Sequence, residues 1–195
     1  MSTRDQILAK IKANLPAPTS LPTSHRFESN YSDLLEQFSS TLAAIGGRAV
    51  QVKNYEAIID ELNQHFGEVA NKASTIPELS PWTDFSLNVE DPHLLENIQV
   101  AVISGHFGVA ENGAVWVTDD QLSHRVLPFI TQYLAIVIKK NELVANMHDA
   151  TKRIGSVEEN GWAAFIAGPS KTADIEQSLV IGAHGPRGMT VYLID

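Results

Sequence analysis

The sequence contains no cysteine. Disulfides, zinc sites built on thiolates and cysteine-ligated iron–sulfur clusters are therefore excluded for this chain. Basic residues are scarce: 14 Lys and Arg stand against 23 Asp and Glu, a formal net charge of -9 at pH 7. Such a chain repels phosphate backbones, and no Lys/Arg cluster offsets the excess, so nucleic acid is not an expected partner. No apolar run approaches the roughly 20 residues of a membrane helix, so no membrane span is expected. Lys10 and Lys12 interrupt the stretch where a secretory leader would be apolar, which makes the cytoplasm the expected location. What is present is 44% apolar residues in 195, enough for one sizeable α/β domain with its own core.

The apolar periodicity predicts a helix from Thr3 to Leu15, with Thr3 and Gln6 as a capping box and Ile7, Leu8, Ile11 and Leu15 on one face. Pro16, Pro18 and Pro22 end it and leave residues 16–30 as an extended linker. The opening helix can dock on its own domain or on a partner subunit. The reading is an N-terminal helix and linker over 1–29 and an α/β domain over 30–195. Ser32 is placed to cap a helix to Ile45 that Gly46-Gly47 terminates, and Asn54 to cap another through Phe66. Strands are expected at Arg48–Val52 and just before residue 74. Three prolines make 74–97 irregular, with Trp82 and Phe85 covering the core. Strands then cluster at Val100–Ser104, Gly113–Thr118, Leu134–Lys139, Ala163–Ala167 and Thr190–Ile194, each continuously apolar, as in strands buried on both faces. Helices are expected from Asn141 to Ile154 and over 172–181. The sum is an α/β fold of three layers around a mostly parallel sheet.

Chemistry-bearing residues concentrate near the C-terminus. Gly168-Pro169-Ser170-Lys171-Thr172 lacks the glycine spacing of a phosphate loop. It reads instead as a strand end, a turn and a helix start, where free backbone N–H groups suit an anion. Capping by Ser170 or Thr172 is the plain alternative. Asp174 and Glu176 would follow in the first helical turn, which the helix dipole favours, and Asp174 can serve as a general base. His184, held between Gly182 and Gly185, can face a cleft and titrate near neutrality. Lys171 and Arg187 can take a carboxylate or phosphate. Glu111, at the tight entry to a strand, is either a turn residue or a base, nucleophile or hydrogen-bond acceptor. None of the seven histidines forms an H-x-x-x-H pair, and neither G-x-S-x-G nor G-x-G-x-x-G occurs, so no metal and no cofactor is expected in this chain.

Four motifs together resemble the lactate utilization protein C family, the LUD-domain group. They are Ala110-Glu111-Asn112-Gly113, Leu127-Pro128, Gly168 through Glu176 (Gly-Pro-Ser-Lys-Thr-Ala-Asp-Ile-Glu), and Gly182-Ala183-His184-Gly185-Pro186. The last two, in order and five residues apart, are highly specific. One position departs: the family reads Glu-Thr-Gly where this chain has Glu111-Asn112-Gly113, so the carboxylate is kept and the hydroxyl is not. The resemblance implies a fold of the NagB/RpiA/CoA-transferase-like class, in which a glutamate near Glu111 acts as nucleophile in the CoA-transferring branch. It also implies a part in oxidising L-lactate to pyruvate beside Fe–S cluster-containing lactate utilization subunits. Without cysteine, this chain would be an accessory, ligand-sensing or assembly subunit and not the electron carrier. The other reading is a binder or enzyme for a small carboxylate, phosphosugar or CoA ester. In that reading Glu111, Asp174 and His184 converge with Ser170 and Thr172 at the C-terminal ends of the strands.

Overall fold

The computed structural model describes residues 2–20, 31–155, 161–172 and 180–195. Its centre is a five-stranded sheet of β1 (Arg48–Val52), β2 (Lys72–Ser74), β3 (Val100–Ser104), β6 (Tyr133–Lys139) and β11 (Gly188–Ile194), in the order β1-β11-β6-β3-β2. Every neighbouring pair in it is parallel. In register, Val100 and Gly188 both lie beside Tyr133, so the strand starts line one rim and the strand ends the other.

The alternation along these strands divides the core in two. Ala101 and Ile103 of β3, Leu134, Ile136 and Ile138 of β6, and Val191 and Leu193 of β11 face one side. They meet Phe38 and Leu42 of α2 (Leu34–Ala44) there. Val100, Val102, Ala135, Val137 and Tyr192 face the other, against Ile58 and Leu62 of α3 (Tyr55–Phe66). Leu79 and Trp82 of the 3-10 turn Pro77–Trp82 complete that second layer. Trp82 is thus a core residue, while Phe85 packs at the margin of the first cluster. The expected α/β class and mostly parallel sheet are present.

Beyond the α2 side lies a second sheet, and the strands expected at Gly113–Thr118 and Ala163–Ala167 belong to it and not to the parallel sheet, because they pair antiparallel with each other. It consists of β4 (Phe107–Val109), β5 (Ala114–Thr118), β7 (Leu143–Val144) and β8 (Ala163–Ile166), in the order β7-β4-β5-β8. Its pairs β4–β5 and β5–β8 are antiparallel and β4–β7 parallel. Val115 and Val117 join the main core, as does Leu127 of the short helix α4 (Leu127–Ile130), whereas Phe107, Val109 and Trp116 point outward onto Ala150 of α5 (Met147–Ile154). The helix expected to begin at Asn141 therefore starts later: Asn146 is its cap, accepting from the Asp149 N–H at 2.9 Å. Residues 143–144 pair in the sheet instead, because Leu143 and Val144 find backbone partners on β4.

Other boundaries shift less. The cap of α2 is Asp33, whose Oδ1 accepts from the N–H groups of Leu35 and Glu36, not Ser32. In α1 (Thr3–Ala13) the reciprocal capping box joins Ser2 and Asp5, one residue earlier than Thr3 and Gln6. No residue of α1 is buried, and Ile7, Leu8, Ile11 and Leu15 are exposed. The helix expected over 172–181 is replaced at both ends, since β9 (Lys171–Thr172) pairs antiparallel with β10 (Val180–Ile181). Residues 173–179 between them are outside the described residues. Among the described residues no helix is long and apolar enough to cross a membrane.

Tyr192 gives the core a pH signature. It is 1% exposed in β11, an interior strand of the five-stranded sheet, and burial pushes its phenol up to about 12, with Arg48 opposing and Glu61 adding to the shift. The folded state thus holds this proton more tightly than the unfolded chain. Its contribution is complete below pH 10 and is lost as pH rises from about 10 to 12, at most about 2–3 kcal/mol. Urea melts at pH 9 and 11.5 on the native protein and Tyr192→Phe should show the smaller pH-dependent loss in the variant. Equal losses would remove Tyr192 as the cause.

Candidate ligand site

The chain crosses between the two sheets at Gly105. Its N–H still bonds the Val137 carbonyl of the central sheet at 2.9 Å, while the next N–H, of His106, bonds the Trp116 carbonyl of the second sheet at 2.9 Å. A Cβ at residue 105 would stand 2.5 Å from Val115 Cγ1 and 3.0 Å from the Cγ2 atoms of Ile136 and Ile138, so only glycine lets the strands meet there. This crossing opens a cavity of about 430 Å³ at the C-terminal rim of the parallel strands. Such rims are where sheets of this kind hold ligands.

Each polar wall residue has a distinct structural origin. His106 follows the crossing. Thr118 closes β5, and Lys139 closes β6. Glu142 comes from the tight turn after β6, held by its N–H on the Lys139 carbonyl at 2.9 Å. Arg153 stands in the last turn of α5, where the helix dipole favours a cation. It is ion-paired with Glu142, and its guanidinium carbon lies 4.7 Å from the centre of the Phe107 ring. The neighbouring Lys140 is engaged with Asp195, but Lys139 has no ion partner among the described residues. Two cations therefore face one carboxylate, a formal surplus of one positive charge in a chain of net charge -9. Phe107 and Trp116 supply the apolar wall, the latter braced by Phe165 at 4.6 Å between ring centres.

A hydrogen-bonded chain leads out from the cavity. His106 Nε2 lies 2.5 Å from Thr118 Oγ1 and 3.3 Å from Asp120 Oδ1, and the Thr118 hydroxyl bonds Asp120. That hydroxyl holds the Asp120 carboxyl below its ordinary range; partial burial opposes the effect, and Gln121 and His106 add to it.

The residues expected from sequence to form a site lie elsewhere. Ser170 and His184 do share a cavity, of about 260 Å³, with Phe129, Phe165 and Pro186. The Ser170 N–H bonds the Pro186 carbonyl at 2.8 Å and joins the two motif loops. That cavity also touches Leu134 at the start of β6, so it is on the opposite rim from the one expected. The helix start expected at Thr172 is strand, because Thr172 pairs with Val180. Lys171 reaches the Gly46 turn, and Arg187 is exposed, its N–H on the Gln132 carbonyl at 2.8 Å. Asp174 and Glu176 are outside the described residues. Glu111 lines neither cavity: its Oε2 accepts the Met147 N–H at 2.9 Å at the start of α5. Asn112, in the family's hydroxyl position, accepts from the Ala114 N–H at 3.1 Å and so serves the turn.

Glu111 thus has a capping task. Glu111→Ala is expected to cost about 1 kcal/mol, while Glu111→Gln, which keeps an accepting oxygen, costs less. Thermal melts of both variants check this, and equal Tm values for Glu111→Ala and the native protein would remove the capping role. Among the described residues no group of three His, Cys, Asp or Glu is placed to hold a metal ion.

Several proteins resemble this chain. The lactate utilization protein C of Oceanobacillus iheyensis is 28% identical over 152 residues, which are 74% of this chain and 65% of that protein. The protein of the same name from Bacillus pumilus is 31% identical over 122 residues, 60% of this chain and 51% of its own length. That from Anoxybacillus flavithermus is 27% identical over 167 residues, 86% and 72% of the two chains. The match to the first two thus spans about half to two thirds of their length. A crystal structure of a DUF162 family protein from Deinococcus radiodurans superposes with a TM-score of 0.62 at 16% identity, over 83% of this chain and 96% of that one, and so shares the fold. The LUD domain model matches residues 93–194, just over half of the sequence, from the 3-10 turn Pro92–Leu95 through the end of β11. The chain belongs to the LUD domain family.

Proposed function

We propose that the protein is an accessory subunit of an L-lactate utilization system that oxidises lactate to pyruvate, working in the cytoplasm beside Fe–S cluster-containing proteins. The observation that carries this reading is the set of relatives named lactate utilization protein C, matched across up to 86% of this chain. Oxidation of lactate releases two electrons and two protons. A chain without cysteine offers no thiolate to a cluster, so the electron-carrying role falls to the partners. Deleting the gene should abolish growth on L-lactate as sole carbon source and spare growth on glucose. Tagged protein should retain Fe–S subunits in a pull-down. Unimpaired growth on lactate in the deletion strain would end this reading.

A second reading concerns this subunit's own ligand, and the C-terminal cavity favours it. One unpaired lysine, an arginine with spare donors and an aromatic wall suit a small carboxylate better than a neutral or cationic molecule. In this reading the subunit senses or holds the carboxylate that the system processes. Calorimetric titration with lactate, pyruvate and propionate tests it; no heat from any of the three would exclude a carboxylate site.

A further inference from the structure

The proton positions along the His106–Thr118–Asp120 chain define what the cavity can recognise. Asp120 is kept ionised, and a carboxylate only accepts hydrogen bonds. The Thr118 hydroxyl has one proton and gives it to Asp120. Its oxygen can then only accept from the imidazole, so His106 Nε2 must carry a proton, directed at Thr118 Oγ1 2.5 Å away and at Asp120 Oδ1 3.3 Å away. In the neutral ring the lone pair is therefore on Nδ1. That atom has no hydrogen-bond partner among the described residues, and the ring forms part of the cavity wall. Besides the Glu142 carboxylate, which is paired with Arg153, the wall thus offers a neutral acceptor on His106, beside the cations Lys139 and Arg153 and the apolar faces of Phe107 and Trp116.

We propose that this cavity is a site for α-hydroxycarboxylates, in which Lys139 and Arg153 hold the carboxylate and His106 Nδ1 accepts the proton of the α-hydroxyl. A 2-oxo acid presents a carbonyl oxygen at the same position. Two acceptors then face each other without a proton between them, and the oxo acid is disfavoured. An acid with no oxygen there leaves Nδ1 unpaired. Arg153 serves because Glu142 occupies only part of its five-donor fork and the Phe107 face fixes its plane. Thr118 and Asp120 are positioning residues: they touch the ring and set its tautomer. The proposal rests on the carboxylate reading of the cavity and adds the hydroxyl as the group that is read.

The test is a calorimetric titration of the full chain with racemic lactate, pyruvate, propionate and inorganic phosphate. Lactate should bind roughly two- to tenfold tighter than propionate, the worth of one neutral hydrogen bond, and tighter than pyruvate. His106→Phe should bring lactate down to the propionate level and leave propionate unchanged. Asp120→Asn can turn its amide toward Thr118, free the hydroxyl proton for Nε2 and reverse the tautomer. It should lower the lactate-to-pyruvate ratio without moving Tm or propionate affinity. Histidine ¹⁵N shifts, assigned by comparison with His106→Phe, should show the Nε2–H form in the native protein and the Nδ1–H form in Asp120→Asn. Equal affinities for lactate, pyruvate and propionate would overturn the hydroxyl-reading proposal and leave the carboxylate site standing. Binding of phosphate alone, or of nothing, would overturn both.

Discussion

Replacing Phe38 with alanine is expected to destabilise the protein by about 3–5 kcal/mol, the largest effect of any single side chain considered. Phe38 is fully buried on α2. Its ring lies over Gly108, where an added Cβ would stand 2.8 Å from Phe38 Cε2, 2.8 Å from Leu143 Cδ2 and 3.0 Å from Ile138 Cδ1. The phenyl ring therefore joins α2, the second sheet and the central sheet at one point. Interiors are packed densely enough that the vacated space cannot close without moving all three. The glycine is the matching half of the contact. Gly108→Ala alone should cost about 1–3 kcal/mol through overpacking. The double variant Phe38→Leu/Gly108→Ala should cost less than the sum of its parts, because both changes act on the same space. Urea denaturation of the native protein, Phe38→Leu, Gly108→Ala and the double variant measures the cycle, with Phe38→Ala measured beside it. A loss below about 1 kcal/mol for Phe38→Ala would show that α2 is not a structural support for the second sheet.

The same contact explains what the sequence could and could not disclose. The central strands were legible because they are covered on both faces, and Val, Ile and Ala then run without interruption, as in Val100–Ser104 and Leu134–Lys139. The Asn54 cap and the Gly46-Gly47 stop were legible because capping chemistry is local. The second sheet was legible only in β5 and β8, and those as strands without their sheet. Its strand β4 has three residues with a glycine in the middle, so it resembles a turn, and the glycine is there to admit Phe38. Its strand β7 has two residues inside what looks like a helix headed by Asn141. Partner backbones from distant parts of the chain decide such segments, and no window of sequence contains them.

The site was hidden for a related reason. Lys139, Glu142 and Arg153 each look like ordinary surface charges, and they come together only because β6, its following turn and α5 end on one rim. His106 carried some signal, as a histidine following Gly105 at the end of a continuously apolar strand. Glu111 stood out as a carboxylate in a tight turn, and the cause is the N–H group of Met147, thirty-six residues away. Ser170 and His184 are parts of specific motifs that do meet in space. Those motifs mark the family and build the rim opposite the cationic cavity.

The second large effect is expected at Lys139. Lys139→Glu turns the formal surplus of one positive charge among the cavity's Lys, Arg and Glu side chains into a surplus of one negative charge. Carboxylate binding should fall by roughly 10- to 150-fold, from loss of a charge-assisted hydrogen bond worth about 1.5–3 kcal/mol, with repulsion adding to it. Lys139 is exposed at the end of β6 and has no ion partner among the described residues, so the fold should not register the change: Tm is expected to stay within a few degrees. The reciprocal variant, Glu142→Gln, frees Arg153 from its carboxylate partner and should tighten the same ligands. Opposite shifts from the two substitutions, with unchanged melting, are the signature of an electrostatic site. The loss in Lys139→Glu should also shrink at high salt, because the cavity is open to solvent and its field is screened there. If both variants bound lactate as the native protein does, the cations of this rim would have no part in ligand capture. If Lys139→Glu lost binding yet still supported growth on lactate, the ligand site and the role in lactate utilization would be separate properties of the chain.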